Sequence, residues 1–192
     1  MRSLDSLIGF LDALEAPADL SALRGALGGL RVSRADLAEH VAFEEDHYAR
    51  NEMARSAWHE LVCLCWRPGQ GTPIHDHRGS SCAFMIVQGQ AEEICYDLDA
   101  EGRLAGARAP VAHRCGSICA SWDADVHEVV NRTAEDLITL HIYSPALSQM
   151  RVYSRDTGVG ELWTPHMVVV GVGDRQETGS APRGVAQAAR SR

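Results

Sequence analysis

Apolar positions recur at helical spacing in the first part of the chain and then give way to short runs of the kind a sheet buries. Leu4, Leu7, Ile8, Leu11 and Leu14 repeat every three or four residues, which predicts an amphipathic helix ended by Pro17. A second short helix is predicted over 18–27, before Gly28-Gly29. Ser33, with Asp36 three residues later, has the character of a capping box and predicts a third helix through about His47. Beyond it the pattern changes. Residues 58–66, 82–87, 91–98, 116–122, 126–131, 137–144 and 166–170 are β-rich runs broken by Gly, Pro, Asp and Asn. Many short strands with frequent turns predict an antiparallel sandwich or barrel. From 171 onward Gly, Ala, Ser, Arg and Gln dominate, and an unstructured tail is expected. The fold class is therefore mainly β. A helical segment over 1–50 packs on one barrel over 51–170, and the tail runs over 171–192.

Composition narrows the function. A chain of 192 residues with 45% hydrophobic residues suits a single domain with one core. The net charge is −8, and all 18 basic residues are arginine, so lysine Schiff-base chemistry and a Walker-type phosphate lysine are excluded. Arg175, Arg183, Arg190 and Arg192 sit in the tail, which leaves the body more acidic still and no nucleic-acid footprint. No apolar run reaches membrane-spanning length and no signal pattern opens the chain, so no membrane partner is expected. Among the six cysteines, Cys63, Cys65, Cys95 and Cys119 fall inside apolar runs rather than loops. Reduced thiols in a cytoplasm are the expectation. Neither Cys63-x-Cys65 nor Cys115-x3-Cys119 has zinc-knuckle spacing.

The chemistry concentrates around His75-Asp76-His77. On an extended backbone, residues i and i+2 point the same way, so both imidazoles share a face and Asp76 opposes them, placed to support them from behind. Cys82 follows closely, and His127 comes later in Val126-His-Glu-Val-Val-Asn131. Three imidazoles converging on one transition metal inside a barrel, with a thiol beside it, is the reading this supports. Three neutral nitrogens leave a divalent ion its full charge, which favours an anionic thiolate, and they leave half of an octahedral sphere open. Thr139, His141 and Tyr143 share one strand face by parity; a relay from Thr139 through His141 to the Tyr143 phenol satisfies all three. Other readings stay open on the residues alone: a solvated turn, a non-catalytic metal- or ligand-binding barrel, or a zinc hydrolase with no carboxylate evident as base. His40, His47, His59, His113 and His166 lack partners at ligand spacing and are expected to be structural or exposed. The tryptophans are expected in the core or at the barrel rim, and Asp123 and Asp125 as solvated charge.

Gly69, five residues, His75-x-His77, four residues, Cys82, six residues and Gly89 resemble the first motif of the cupin superfamily, with Cys82 at the usual acidic ligand. Gly116, Trp122, Ala124, His127 and Asn131 resemble the second, with Trp122 and Ala124 replacing its Pro and Gly. Within the cupins the chain resembles the cysteine dioxygenases over roughly residues 30–170. Tyr48-Ala-Arg50-Asn51, the run Leu61-Val-Cys-Leu-Cys-Trp66, and Thr139-Leu-His141-Ile-Tyr143-Ser144-Pro145 carry that likeness; Thr139 replaces the family's serine. The resemblance implies a single cupin barrel holding mononuclear Fe(II) on His75, His77 and His127. It implies Arg50 and Tyr48 as substrate-binding residues, with the Arg50 fork on the substrate carboxylate. It implies Thr139, His141 and Tyr143 as the catalytic relay, and Cys82 as the partner of Tyr143 in a thioether. The implied reaction adds both atoms of O2 to the sulfur of L-cysteine, in cysteine catabolism, giving cysteine sulfinate. Arginine rather than glutamine at position 50 favours cysteine over 3-mercaptopropionate. A small thiol and O2 are the expected partners, and a monomer the expected state.

Overall fold

A computed structural model describes residues 3–164. The 166–170 run and the tail from 171 lie outside the described residues. Two short helices come first, α1 (Leu4–Asp12) and α2 (Leu20–Gly28). Ser3 caps α1 by accepting from the Ser6 N–H, and Asp19 caps α2 by accepting from the Ala22 N–H at 2.7 Å. The third predicted helix is corrected: only a 3-10 segment forms, at Ala35–His40. Ser33 donates both its N–H and its hydroxyl to Asp36 Oδ2, at 2.8 and 2.7 Å, which opens the turn. Beyond it the Ala42 carbonyl, which a helix would use in its own ladder, accepts from Asn51 Nδ2 at 3.1 Å. Glu44, Glu45 and Asp46 would also crowd the negative end of a helix dipole there.

The rest is sheet. In chain order the strands are β1 (Ala49–Arg55), β2 (Glu60–Trp66), β3 (Ile74–His75), β4 (Ser81–Gln88), β5 (Gln90–Leu98) and β6 (Leu104–Ala107). They continue with β7 (Val111–Arg114), β8 (Ile118–Ser121), β9 (Val126–Val130), β10 (Leu137–Ser144), β11 (Met150–Tyr153) and β12 (Gly160–Trp163). One antiparallel sheet runs β1-β2-β10-β4-β8; the other runs β12-β11-β3-β9-β5-β6, with β7 also pairing with β5. The fold is mainly β, as expected, with the helices at its N-terminal end. Strands β1, β3, β6, β7, β11 and β12 were not anticipated; each is short or polar, with too little apolar alternation to mark it.

Strand parity separates two cores. Leu61, Cys63 and Cys65 of β2, Ala83, Met85 and Val87 of β4, and Ile138, Leu140 and Ile142 of β10 pack outward against Leu7, Leu11, Leu23 and Leu27 of the helices. The alternate residues Val62, Leu64 and Trp66, Cys82, Phe84 and Ile86, and Tyr143 face inward against Ala91, Val129 and Met150 of the second sheet. Both faces of β2 and β10 are thus covered, which is why 60–66 and 137–144 read as unbroken apolar runs. Each buried helix leucine contributes about 1.5–3 kcal/mol, enough to fix the helices on the sheet. The β4–β5 reversal needs glycine: Gly89 has φ +80°, and a Cβ there would stand 2.8 Å from the Asp136 carbonyl oxygen. No helix among the described residues is long and apolar enough to cross a membrane.

Candidate metal centre

Strand β3 is two residues long and pairs with β9 at a single position, His75 opposite His127. His77 follows on the loop, which Asp123 tethers: its carbonyl accepts from the His77 N–H at 3.1 Å, and its carboxylate from the Gly79 N–H at 3.2 Å. Asp123 is thus exposed, as expected of solvated charge, and also anchors the loop. Asp125 does similar work, accepting from the Trp122 N–H at 2.8 Å in the turn where Pro and Gly are replaced. Asp76 points away from the imidazoles and accepts from the Arg151 N–H at 2.8 Å, pinning β11.

The three rings converge. Their centroids lie 4.8–5.1 Å apart, and all three side chains are buried. One donor atom from each falls within 4.8 Å of the others. His75 Nδ1 lies 3.0 Å from the Pro73 carbonyl oxygen, which accepts its proton and leaves Nε2 with a lone pair. His127 Nδ1 lies 2.6 Å from Glu93 Oε1, with the same consequence. Burial, then the neighbouring His127, pushes the His75 pKa down to about 3; the same two causes, in the same order, hold His77 well below its ordinary value. His75 and His77 are therefore buried, uncharged donors. His127 Nε2 and His77 Nε2 are 3.4 Å apart. Metal–nitrogen bonds of about 2.0–2.1 Å place two nitrogens on one ion roughly 3.0–3.4 Å apart, so this donor set fits a divalent transition metal.

Beside this three-ring nest is a small cavity of about 10 Å³, lined also by Tyr48, Arg50, Cys82, His141 and Tyr143. Arg50 lies on β1, 6% exposed, and its Nη2 donates to Glu60 Oε1 at 2.8 Å. Burial opposes its charge, but Tyr143, Glu60 and Tyr48 outweigh that and raise its pKa. Its Nε has no partner among the described residues. Tyr48 stacks on Trp66, centroids 4.4 Å apart, and walls the pocket. Trp66 Nε1 donates to Thr139 Oγ1 at 3.0 Å, and Thr139 Oγ1 lies 2.9 Å from His141 Nε2. With the indole proton on Thr139, the hydroxyl proton is free for Nε2. His141 then presents Nδ1–H towards Tyr143 Oη at 3.5 Å and Cys82 Sγ at 3.9 Å. Phe84 stacks on the His141 ring and holds its plane. Cys82 and Tyr143 are directly opposite across β4 and β10. Burial raises the pKa values of both.

Residues 23–156 match the family model described as cysteine dioxygenase type I. The chain belongs to that family. It is 30% identical to cysteine dioxygenase type 1 of Danio rerio over 129 residues, 64% of each chain, and so spans just under two thirds of that relative. Against cysteine dioxygenase type 1 of Rattus norvegicus the identity is 28% over 164 residues, 82% of each chain, and against that of Homo sapiens 26% over the same length. Among solved structures, a Klebsiella pneumoniae protein with a double-stranded β-helix domain aligns at TM-score 0.51 and 17% identity, covering 62% of this chain and 95% of its own. That likeness shows the double-stranded β-helix fold.

Around one cavity this cysteine dioxygenase-family chain thus gathers His75, His77, His127, Arg50, Tyr48, His141, Tyr143 and Cys82, with Thr139 one hydrogen bond behind. Three further residues bear on the site and were not singled out from sequence for the roles they take. Glu60, 0% exposed, aims Arg50. Trp66 anchors Thr139. Glu93 bridges His127 and His113, the latter at 2.9 Å from Oε2; His113 is half-buried and paired rather than partnerless. His59 and Trp66 are fully buried.

Proposed function

We propose that the protein is an iron-dependent thiol dioxygenase that converts L-cysteine and O2 to cysteine sulfinate. One observation carries the reading: a buried three-imidazole nest and a buried, charged arginine with an unmet donor face the same small cavity. In this reading His75, His77 and His127 would hold a mononuclear ferrous ion, which would supply Lewis-acid and redox chemistry for a thiolate and dioxygen. The residues do the rest. Arg50 binds the substrate carboxylate through a charge-assisted fork, with Glu60 fixing its direction. Tyr48, held flat by Trp66, closes one wall and excludes water. His141, locked by Thr139 and Phe84, directs the Tyr143 hydroxyl into the cavity, where it can donate to developing charge on oxygen. Cys82 is placed to form a thioether with the Tyr143 ring, which would remove the phenol's freedom to rotate. Both oxygen atoms end on sulfur and the thiol proton is released, so no reductant or organic cofactor is consumed. The chain then acts as a cytoplasmic monomer whose helices and barrel form one unit.

Anaerobic loading with Fe(II), followed by oxygen uptake with cysteine and chromatographic identification of the product, tests this. Expected is one O2 consumed per cysteine and sulfinate as product, with slower turnover of 3-mercaptopropionate, which lacks the amine. Faster turnover of mercaptopropionate would move the substrate assignment. No oxygen uptake with either thiol would leave a non-catalytic metal-binding cupin.

A further inference from the structure

Outside the cavity lining, behind His127, sits a group of side chains that the proposed reaction does not use. Glu93 on β5 is the middle member of a chain, His127 Nδ1–Glu93–His113 Nε2, with contacts of 2.6 and 2.9 Å to its two oxygens. The carboxylate is 12% exposed, and His113, on β7, is 18% exposed. Bonded on both oxygens, it has no freedom to turn. The other two imidazoles differ. His75 Nδ1 meets a neutral carbonyl, and His77 Nδ1 has no hydrogen-bond partner among the described residues. His127 alone of the three meets an anion.

We propose that Glu93 is a positioning residue that fixes the tautomer of His127 and lends its negative charge, one bond removed, to the metal centre, with His113 locking its orientation. The inference rests on the proposed three-histidine metal site. Neutral imidazole presents a lone pair on one nitrogen only, and an acceptor at Nδ1 is what turns Nε2 into that nitrogen. A carboxylate acceptor also makes the ring a stronger electron donor than a carbonyl does. In this chain the usual acidic ligand of the cupin motif is Cys82, and burial keeps that side chain a thiol. Glu93 therefore restores from behind a charge that the donor set lacks.

The test uses the full-length protein free of metal, with Co(II) as the probe. Affinity is measured against a competing chelator, and the d–d absorption bands report coordination. Separately, ¹⁵N-edited NMR of the metal-free protein reads the His127 tautomer. Glu93→Ala is expected to weaken Co(II) binding about 10- to 100-fold and to give His127 a mixture of tautomers. Glu93→Gln, which keeps an acceptor but removes the charge, should retain the Nδ1–H form while binding Co(II) with intermediate affinity; it also carries the test should Glu93→Ala fail to fold. Wild-type affinity in folded Glu93→Ala, with His127→Ala losing Co(II), would overturn the proposal and leave the metal site standing. Wild-type affinity in both variants would overturn the metal site as well. Two Co(II) per wild-type chain, reduced to one by Cys119→Ala, would also overturn it, since Glu93, His113 and Cys119 would then be ligands themselves.

Discussion

Arg50 offers the sharpest test, provided that its two roles are separated. Arg50→Ala removes a proposed carboxylate clamp, but it also strands Glu60, a carboxylate 0% exposed whose partner at 2.8 Å would be gone. Leaving one member of such a pair buried alone costs about 3–5 kcal/mol. Arg55 Nη1, 3.3 Å from Glu60 Oε2, and the Leu147 N–H, 3.0 Å from the same oxygen, offset part of that. The loss is still large against a typical stability of about 5–15 kcal/mol. Reduced activity in the single variant would therefore be ambiguous. The double variant Arg50→Gln/Glu60→Gln removes both charges together, and the amide oxygen that replaces the Glu60 carboxylate can still accept from the Leu147 N–H. Its melting temperature should stay near that of the wild type. A charge-assisted bond to substrate contributes about 1.5–3 kcal/mol, which corresponds to a fall in kcat/KM for cysteine of roughly 10- to 100-fold, mainly through KM. Oxygen-electrode assays across cysteine concentrations, with iron content measured in each preparation, provide the readout. A folded, iron-replete double variant with wild-type KM would refute the assignment of Arg50 to the substrate carboxylate.

Three further outcomes follow from other parts of the molecule. Thr139→Val removes the oxygen between Trp66 and His141, leaves a buried indole N–H unpaired, and should lower kcat about 10-fold with little change in KM, read by steady-state kinetics. Peptide mass spectra after turnover with cysteine should show Cys82 joined to Tyr143 with loss of two hydrogens to dioxygen; only free thiol would reject the cross-link. His59 is inaccessible to solvent; burial lowers its pKa, while Asp12 and the Leu11 carbonyl partly oppose the shift. The neutral form is favoured in the folded state, so its contribution is intact above the ordinary histidine value of about 6.5 and turns unfavourable as pH falls through it. Thermal melts between pH 5 and 8 should therefore show a shallower acid loss in His59→Gln than in wild type, and equal slopes would dismiss the residue.

The legible parts of this structure are those written in local spacing. His75-x-His77 and His127 stand out because i, i+2 parity and turn glycines are properties of a short stretch. Strands β2 and β10 stand out because two covered faces leave a continuous apolar run. Glu93 was hidden for the opposite reason. It lies in Glu92-Glu93, and only the parity it shares with buried Ala91 and half-buried Cys95 says which acid turns inward. Its partner His113 comes from a separate strand, brought alongside by Ala91 pairing with His113 across β5 and β7. Glu60 was similarly masked, because an acid opening an apolar run reads as a solvated strand end until β1 places Arg50 beside it. The helix expected through His47 failed because local capping chemistry was real, while the backbone acceptors beyond it were claimed by distant side chains.

The single-position pairing of β3 with β9 bears on how the chain would take up a metal ion at the proposed site. His77 and His127 lie 50 residues apart in sequence, and beyond that one strand pairing their segments meet through the Gly71–Val130 bridge and loop bonds such as the Thr72 N–H to the Val129 carbonyl. An unfolded chain offers no pocket of donors, so an ion captured there would act as a clasp across the closing seam of the barrel. Stability would then rise with free metal concentration as RT ln(1 + c/Kd), where c is the concentration of the free ion. A cell short of the ion would hold a population of this protein that is both idle and more readily degraded.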